Sequence, residues 1–258
     1  MACSRRVPVA AIYDIHGNLP ALQAVLADVD RAGAEILVVG GDVASGPQPS
    51  ETLERLMAMG RRARFVRGNG DREVVDAYDR GAMRPEDEQG PAAQANAFAA
   101  SVINAQQRDF LAGFEATVTL DIDGLGPVLF CHGSPRSDTE IITTQTSDKR
   151  LSDVLANVSE PVVVGGHTHR QIDRWISGRR YVNAGSVGAP YEGVAAGYWA
   201  LLGPDISLRR TDYDIDAAVR RFRRTGYPNV DEMLKESLID PADPDEVAAF
   251  FEGLASGS

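Results

Sequence analysis

The sequence has only two cysteines among its 258 residues, Cys3 and Cys131. Two cysteines cannot form a disulfide framework or a thiolate metal site, so these functions are disfavoured. Cys3 lies in a terminal segment that we expect to be frayed. Cys131 directly precedes His132, and we expect it to be a small core residue that points to the opposite face.

Long apolar runs are also missing. No run approaches the roughly 20 residues that a membrane-spanning helix needs. The six residues before the first apolar segment, Met1–Arg6, are too few for a signal peptide. We therefore expect a cytoplasmic protein with no membrane partner.

Positive charge is in short supply. The chain has 26 Lys and Arg residues against 37 Asp and Glu residues, a net charge of −11. A field of that sign repels polyanions, so stable nucleic-acid binding is disfavoured. Four arginines cluster near residue 222, and we interpret them as a solvated helix face because Val219 and Phe222 supply an apolar stripe beside them. They are Arg220, Arg221, Arg223 and Arg224.

Short apolar runs that end in polar loops alternate with helical patterns in the first 70 residues. Predicted strands lie at Val7–Tyr13, Ile36–Val39 and Ala63–Val66, and predicted helices at Leu19–Arg31 and Glu51–Met59. Such alternation is typical of a largely parallel sheet with helices on its faces.

Residues 72–127 depart from this rhythm. An acidic loop, Pro85–Gln89, precedes one long Ala-rich helical pattern at Ala92–Phe114, which carries Ala95, Ala99 and Val102 at helical spacing. We interpret the segment as a helical insertion or cap. Three alternatives stay open for the long helix: a surface for a homo-oligomer, a lid, or packing over the sheet.

Strand patterns resume at Val128–Cys131 and Val162–Val164, with a helix at Ser147–Asn157 between them. Three later strands, the last two joined at Gly203-Pro204, are predicted to form a second sheet packed on the first. They are Arg180–Val182, Tyr198–Leu202 and Ile206–Arg210.

Helical patterns follow from Asp214 and end in a loose tail, Ala255–Ser258. The expected organisation is one domain over residues 1–212, with the insertion at 72–127, and a helical extension over 213–258 packed on it.

All four histidines follow predicted strands. They are His16, His132, His167 and His169. Asp14, Asp42, Asn69 and Asp71 occupy the same kind of position in their loops. Because ligands bind at the carboxyl ends of strands in open α/β sheets, we expect these side chains to converge on one crevice.

The spacing within two of these loops has a physical reason. In an extended chain, residues i and i+2 project to the same side, so Asp14 with His16, and His167 with His169, can reach one centre or two adjacent ones. Ile15 then points elsewhere, as does Thr168.

Imidazoles, carboxylates and one amide, without a thiolate, suit borderline divalent ions rather than a calcium or magnesium cage. We predict two divalent transition-metal ions, Mn, Fe, Ni, Co or Zn. Seven protein ligands are too many for one catalytic ion, whereas two ions that share a carboxylate use all seven and leave room for a bridging hydroxide.

The order Asp-x-His, Gly-Asp, Gly-Asn-x-Asp, His, Gly-His-x-His resembles the calcineurin-like metallophosphoesterases over roughly residues 7–202. The trailing Asn183-Ala184-Gly185-Ser186 is most similar to the small bacterial phosphodiesterases. The resemblance implies a four-layer α/β (α+β) sandwich of two mixed sheets flanked by helices. It also implies a hydrolase that acts on phosphodiesters or small nucleotide-like phosphates, by attack of a metal-bridging hydroxide.

The resemblance further implies how the ligands divide between the two ions, with Asp42 as the bridge. One ion would be held by Asp14, His16, Asp42 and His169, and the other by Asp42, Asn69, His132 and His167.

One position departs from the common family pattern. Where many members have a histidine, this chain has Gly70, so the imidazole that assists the leaving group is missing. We therefore expect a preference for leaving groups that need no protonation, such as aryl esters, phosphoanhydrides or activated diesters. Asp71, which would orient that imidazole, is kept as the candidate catalytic residue with its role open.

Candidate substrate contacts are Asn69 and Asn18. Asn18 also precedes a predicted helix with Pro20 in its first turn, so a helix N-cap is an equal alternative. Arg67 and Arg72 flank the Asn69 loop and could contact phosphate, but solvated arginines are favoured there.

Two other classes of function fit the sequence less well. Amidohydrolases and metallo-β-lactamase-like hydrolases also build sites with two metals, but they need an early His-x-His or a His-x-His-x-Asp-His run, and here His-x-His comes late. A non-catalytic metal-binding protein-interaction scaffold of the same fold would be expected to have lost ligands, whereas all seven positions carry competent side chains.

Overall fold

The computed structural model describes residues 8–81 and 84–256. In this part of the chain, ten strands form two five-stranded sheets. The strands are β1 Val9–Ile12, β2 Ile36–Val39, β3 Ala63–Phe65, β4 Val118–Ile122, β5 Gly126–Phe130, β6 Val162–Gly165, β7 Ile172–Ile176, β8 Arg179–Asn183, β9 Gly197–Leu202 and β10 Ile206–Thr211.

Nine α-helices accompany these strands within the described residues. They are α1 Leu19–Arg31, α2 Pro49–Met57, α3 Asn69–Asp79, α4 Pro91–Val102, α5 Ala105–Ala112, α6 Asp148–Leu155, α7 Ile215–Phe222, α8 Val230–Leu234 and α9 Pro244–Ser256. A π-helical turn at Lys235–Ile239 extends α8. No helix in this part of the chain is both long enough and apolar enough to cross a membrane.

Both sheets are mixed. The first has the order β10-β9-β1-β2-β3, in which β1, β2 and β3 run parallel, β9 is antiparallel to β1, and β10 is antiparallel to β9. The second has the order β4-β5-β6-β8-β7, with a parallel centre of β5, β6 and β8. Parallel neighbours place their carboxyl ends at one edge, which is the arrangement the site requires.

The two sheets pack face to face. Alternate residues of β1, such as Val9 and Ala11, point into an apolar layer that also contains Phe130 and Val164 of the second sheet. The other face of the first sheet packs on α1 and α2, and the outer face of the second packs on α6. The result is the predicted four-layer sandwich of two mixed sheets flanked by helices.

The prediction for the later strands was partly wrong. Strands β9 and β10 form the expected hairpin, but they pair with β1 at the edge of the first sheet. Of these three predicted strands, only β8 joins β5 and β6 in the second sheet. The pattern of apolar residues identifies strands, but it does not identify their partners.

Three further predictions differ from the structure. The Ala-rich pattern forms two helices, α4 and α5, because Asn104 caps a new helix start by accepting a hydrogen bond from the Gln107 N–H. The insertion was predicted to be helical, but it ends in strand β4, which pairs with the predicted strand β5. Strand β7 was missed, since its Asp173, Arg174 and Trp175 hide the apolar pattern.

The C-terminal helical prediction is confirmed, except that Ala255 and Ser256 belong to α9 rather than to a tail. Gly257 and Ser258 lie outside the described residues, as do Val7 and the segment Met1–Arg6 with Cys3, for which a frayed terminus was predicted. In α4, Ala95 and Ala99 are buried and Val102 is exposed. Ala99 belongs to the core beside the first sheet, and α4 reaches this core by packing against α3 and α2.

Candidate metal centre

The predicted ligands follow the carboxyl ends of five strands. His16 follows β1, Asp42 follows β2, Asn69 follows β3, His132 follows β5, and the pair at 167 and 169 follows β6. Because the two sheets face each other, these loops meet at one edge of the sandwich. The hydroxyl of Tyr13 donates a hydrogen bond of 3.0 Å to the Val164 carbonyl and joins the sheets beside them.

The loop backbone at the centre is unusual. Five predicted ligands have positive φ angles, although positive φ is uncommon for residues other than glycine. They are Asp14 (52°), His16 (47°), Asp42 (52°), His167 (67°) and His169 (55°). Such conformations are held only where the surroundings determine them, and they cluster at functional sites.

The φ angles show that the expected extended conformation of these two loops was wrong. The i and i+2 side chains do converge, but through left-handed turns rather than an extended chain. The intervening residues point away as expected, since Ile15 is fully buried in the core and the Thr168 hydroxyl donates to the Ile142 carbonyl.

The first group of convergent ligand atoms comes from Asp14, His16 and His169. The two imidazole Nε2 atoms are 3.0 Å apart, and His169 Nε2 is 3.5 Å from Asp14 Oδ1. The second group comes from Asp42, His132 and His167. In each group all three ligand atoms lie within 4.8 Å of one another, a distance that one ion can span.

Asp42 lies between the two groups. Its Oδ2 is 3.4 Å from His132 Nε2 in the second group and 4.0 Å from His16 Nε2 in the first. Its Oδ1 accepts a hydrogen bond of 2.7 Å from the Gly70 N–H, which fixes the carboxylate plane. This is the position that a bridging carboxylate requires.

Three of the four imidazoles are oriented by backbone carbonyls. The Nδ1 atoms of His16, His132 and His169 lie 3.0, 2.8 and 2.7 Å from carbonyl oxygens. A carbonyl only accepts, so each Nδ1 carries a proton and each Nε2 points to the centre.

Buried polar atoms without partners test whether metal ions fit. Among the described residues, these atoms include Asp14 Oδ1, Asn69 Oδ1 and His132 Nε2. A buried acceptor without a partner costs about 1–3 kcal/mol, so such atoms need an explanation. All three belong to the predicted ligand set, and hard oxygen with imidazole nitrogen suits a borderline divalent ion. The donor set therefore fits divalent metal ions.

The charges at the centre are strongly coupled. Burial lowers the pKa of His132, but the charges of Asp42 and Asp14 outweigh burial and raise it to about 10. Burial and the nearby His132 lower the pKa of His167 to about 4. For Asp42, burial raises the pKa, but the imidazoles outweigh burial and hold it well below the usual range. The carboxylates at this edge therefore favour positive charge between them.

Asp71 does not face the crevice. It is fully buried, and its Oδ2 accepts hydrogen bonds of 2.9 and 3.0 Å from the N–H groups of Asp42 and Gly68. Its Oδ1 accepts from the Val43 N–H at 2.9 Å. Burial and the charge of Asp42 raise the pKa of Asp71 to about 7, against these hydrogen bonds. The carboxyl group ties the second ligand loop to the third.

Space is tight in that third loop. A Cβ at Gly68 would lie 2.1 Å from Asp42 Oδ1, closer than side chains tolerate, and one at Gly70 would lie 3.0 Å from the same atom. The missing histidine at position 70 is thus accompanied by a close approach between the backbone and the Asp42 carboxylate.

The segment Asn183–Ser186 supports the ligand loops. The Asn183 Nδ2 donates to the Gly166 carbonyl at 2.6 Å and to the Thr168 hydroxyl at 3.1 Å. The Ser186 hydroxyl donates to the Asp14 carbonyl at 2.7 Å. In the sequence this segment is recognisable only as part of a motif. Its hydrogen bonds hold two of the ligand loops in place.

Asn18 is fully engaged elsewhere. Its Oδ1 accepts from the Ala21 N–H at 3.1 Å, which is the N-cap bond of α1. Its Nδ2 donates to the Gly188 carbonyl at 2.9 Å and to the Tyr213 hydroxyl at 3.0 Å. These contacts use both polar atoms of the amide and favour the capping alternative.

The two flanking arginines differ. The Arg72 guanidinium forms an ion pair with Asp138, with Nε and Oδ2 3.0 Å apart, while Arg67 Nε is buried without a partner. Cys131 is fully buried in the core between β6 and α6, as expected. On α7, Val219 and Phe222 are buried and Arg220 is exposed, as expected for a solvated arginine face.

A cavity of about 360 Å³ opens beside the first group of ligands and is lined by His16 and His169. Its other walls come from α4 and from the segment after residue 221, which contributes Tyr227 and Glu236. Burial raises the pKa of Tyr191, another lining residue, and the charge of Glu236 adds to that increase. A larger cavity of about 630 Å³ lies beside the arginines of α7, away from all seven predicted ligands.

Sequence reasoning missed these cavity residues. Tyr191 stacks on His169, with ring centroids 5.0 Å apart and planes 15° apart. It lies five residues beyond Ser186 in a loop that carries no motif, and the helices after residue 213 show only an ordinary amphipathic pattern.

The chain is similar to a known protein family and to several known proteins. Residues 8–202 match the model of the calcineurin-like phosphoesterase superfamily domain. An uncharacterised protein of Methanocaldococcus jannaschii is 26% identical over 256 residues, which cover 90% of this chain and 97% of that protein. Phosphodiesterase YfcE of Escherichia coli is 41% identical over 70 residues, only 24% of this chain and 38% of YfcE.

Two solved structures share the fold. A metallophosphoesterase from Sphaerobacter thermophilus superposes with a TM-score of 0.72 at 24% identity, over 90% of this chain and 100% of that one. A hypothetical protein from Pyrococcus horikoshii gives a TM-score of 0.79 at 19% identity, over 92% and 99%.

The local match to YfcE supports the predicted similarity to small bacterial phosphodiesterases. The family match covers nine of the ten strands, all but β10, and every loop that carries a predicted ligand. On that evidence this chain belongs to the calcineurin-like phosphoesterase superfamily.

Proposed function

We propose that this chain is a binuclear metal-dependent phosphodiesterase that also accepts small nucleotide-like phosphates. The observation that carries the proposal is the pair of ligand groups on either side of Asp42, with buried ligand atoms that have no other partner. The family membership supports hydrolysis of phosphate esters, and the local similarity to YfcE supports diesters.

The proposed ligands divide as the family resemblance implies. Asp14, His16 and His169 would hold one ion, and Asn69, His132 and His167 the other, with Asp42 shared. When bound, two divalent ions provide a hydroxide nucleophile at neutral pH and neutralise charge on the phosphoryl oxygens. Mn, Fe, Ni, Co and Zn all suit this donor set.

The remaining residues position the ligands. The carbonyl contacts of the histidines fix which nitrogen faces the ion, so little reorganisation is needed when metal binds. We assign Asp71 as a positioning residue, because its oxygens accept three backbone N–H groups and none of its surface is exposed. We assign Asn18 as a helix N-cap, because contacts within the protein use both polar atoms of its amide. We keep Asn69 as a metal ligand next to the substrate phosphate.

No histidine assists the leaving group in this proposal. All four histidines belong to the two ligand groups, and Gly70 stands at the family position. We therefore propose that turnover is fast only where the leaving oxygen is stable without a proton, as in aryl diesters.

The test uses metal-stripped protein with Mn²⁺ added back, on bis(4-nitrophenyl) phosphate and on 4-nitrophenyl phosphate. The proposal predicts hydrolysis that requires metal and prefers the diester, and loss of it in His167→Ala. Turnover of neither ester with two metal ions bound per chain would contradict the proposal and favour a metal-binding scaffold.

The predicted organisation and surroundings complete the proposal. Residues 1–212 would form the metallophosphoesterase domain with the insertion at 72–127, and residues 213–258 a helical extension packed on it. We propose a cytoplasmic enzyme with a small phosphate-ester substrate, no stable nucleic-acid partner and no membrane partner. Self-association is an open alternative that sedimentation analysis would decide.

A further inference from the structure

The cavity beside the first ligand group has the size and place of a substrate pocket. Its volume of about 360 Å³ falls within the roughly 300–1,000 Å³ of small-molecule sites. Two of the proposed ligands, His16 and His169, form its floor. A phosphate ester bound at the metal centre therefore has one organic arm directed toward this cavity or toward solvent.

The charge of the lining is one-sided. Among the residues that the structure describes, the cavity is lined by Glu232 and Glu236 and by no lysine or arginine. Both glutamates are exposed residues of the segment that follows α7, and no ion pair involves either of them within the described residues. An arm that carried a second phosphate or a carboxylate would meet the like charge of both glutamates at this wall.

The two glutamates are four residues apart on one helical segment. Like charges at this spacing repel each other and destabilise the helix slightly. The π-helical turn at Lys235–Ile239 begins between them and contributes Glu236 to the cavity wall. Such turns are frequent at functional sites. A cation held between the two carboxylates would relieve their repulsion.

Aromatic rings complete the wall. Tyr191 stacks on His169, Tyr227 packs edge-on against Phe98 with centroids 5.4 Å apart, and Phe222 is almost fully buried. Aromatic faces next to carboxylates are the features with which proteins bind organic ammonium groups, through cation–π attraction and charge.

We propose that this cavity receives a cationic organic arm of the substrate, so that the preferred substrates are phosphodiesters with an ammonium-bearing alcohol on one side. The inference rests on the proposed phosphodiesterase function and narrows its substrate class. Glu232 and Glu236 supply the countercharge, and the tyrosines supply the faces that contact the ammonium group.

The first test compares three 4-nitrophenyl phosphodiesters that differ only in the second arm. The arms are choline, its uncharged carbon isostere 3,3-dimethylbutanol, and 4-hydroxybutanoate. We expect kcat/KM to be about tenfold higher for choline than for the isostere, and the anionic arm to be poorest. Equal kcat/KM for the choline and isostere diesters would overturn the proposal.

The matched variants separate the cavity from overall charge. Glu232→Gln with Glu236→Gln should remove the preference for choline over the isostere, so that the ratio of the two kcat/KM values falls to about one. The control is Glu54→Gln with Asp121→Asn, which removes the same charge from exposed positions outside the cavity lining. A control that loses the preference equally would show a general field rather than a site, and would also overturn the proposal.

A second measurement does not depend on hydrolysis. Choline and 3,3-dimethylbutanol are titrated into metal-free protein, and binding is followed by calorimetry. We expect choline to bind more tightly than the alcohol, and the double glutamine variant to lose about tenfold of its choline affinity. Choline binding without turnover of any diester would refute the phosphodiesterase proposal and keep the cavity assignment. Absence of choline binding to the wild-type protein would overturn the cavity assignment whatever the activity.

Discussion

The metal centre and the cavity beside it share His16 and His169, yet they are built in different ways. The centre comes from short loops at strand ends, with buried side chains and left-handed backbone. The far wall of the cavity comes from helices after residue 213, and its charged groups are exposed. The first region has little freedom to change without losing its chemistry, whereas the second can change its side chains while the sandwich stays intact.

We infer from this contrast that the metal centre determines the type of reaction and that the cavity determines which substrates are preferred. Changes in the centre should then reduce the hydrolysis of every ester alike. Changes in the cavity wall should alter the ratio between substrates and leave metal binding intact. Variants in each region test whether these two kinds of effect are separate.

Asp42→Asn should have the largest effect. The amide is a weaker ligand than the carboxylate between the two groups, and the substitution removes charge that favours cations there. We expect kcat/KM to fall by at least about 10³-fold for every diester, with metal content below two ions per chain. Kinetics and elemental analysis of the same preparation measure both.

Asp121→Asn, at an exposed position of β4, is the matched control and should retain full activity. If Asp42→Asn changed the ratio between diesters while keeping two ions per chain, the assignment of reaction type to the centre would be wrong.

Asp71→Asn should have an intermediate effect. The amide nitrogen would replace an oxygen that accepts backbone N–H groups, so one donor would face another donor. We expect metal affinity to fall by about 10–100-fold, as for other residues that orient ligands. We also expect the free energy of unfolding to fall by about 1–3 kcal/mol.

Metal titration and thermal unfolding of the variant measure these two quantities. Excess Mn²⁺ should restore most of kcat for a positioning residue. A kcat that stayed low at saturating metal, with normal stability, would instead return Asp71 to a catalytic role.

Gly70→His asks whether an imidazole can simply be restored. A Cβ there would lie 3.0 Å from Asp42 Oδ1, a contact that forces the bridging carboxylate or the loop to shift. We therefore expect kcat/KM for an aryl diester to fall by about tenfold, with no gain for alkyl diesters. Assays with bis(4-nitrophenyl) phosphate and with a 4-nitrobenzyl alkyl diester compare the two leaving groups.

Gly70→Ala is the control, because it adds the Cβ without the ring. It should reproduce most of the loss on the aryl ester. If Gly70→His raised alkyl turnover toward the aryl rate, the missing histidine would be the sole reason for the leaving-group preference.

Asn18→Ser should have the smallest effect on catalysis. Serine keeps an N-cap oxygen but loses the donations to Gly188 and Tyr213. We expect the free energy of unfolding to fall by about 1–2 kcal/mol, with KM for the diester changed by less than about twofold. Denaturant unfolding and steady-state kinetics give both values, and a tenfold rise in KM would restore Asn18 as a substrate contact.

The sequence predicted which His and Asp side chains converge, because those residues lie in short local motifs. The Asp-x-His and His-x-His pairs sit next to glycines at strand ends, and few other functions require that combination. The first three parallel strands were predictable for a similar reason, since β1, β2 and β3 follow one another with helices between them.

The parts that were not predictable depend on distant contacts. Strand β9 pairs with β1 across nearly 190 residues, and an apolar pattern carries no information about its partner. Tyr191 and Glu236 come to the cavity beside the centre only through the tertiary fold, so neither has a neighbouring motif. The contacts of Asp71 could not be read from the sequence, because its partners are three backbone N–H groups.

The central claim is that two metal ions, held by the two ligand groups, are both required for hydrolysis. Metal-stripped protein is titrated with Mn²⁺ while bound metal per chain and the rate on bis(4-nitrophenyl) phosphate are measured on the same samples. We predict a stoichiometry of two ions and a rate that rises with the second. Full activity with one ion per chain, or no activity with two, would contradict this account.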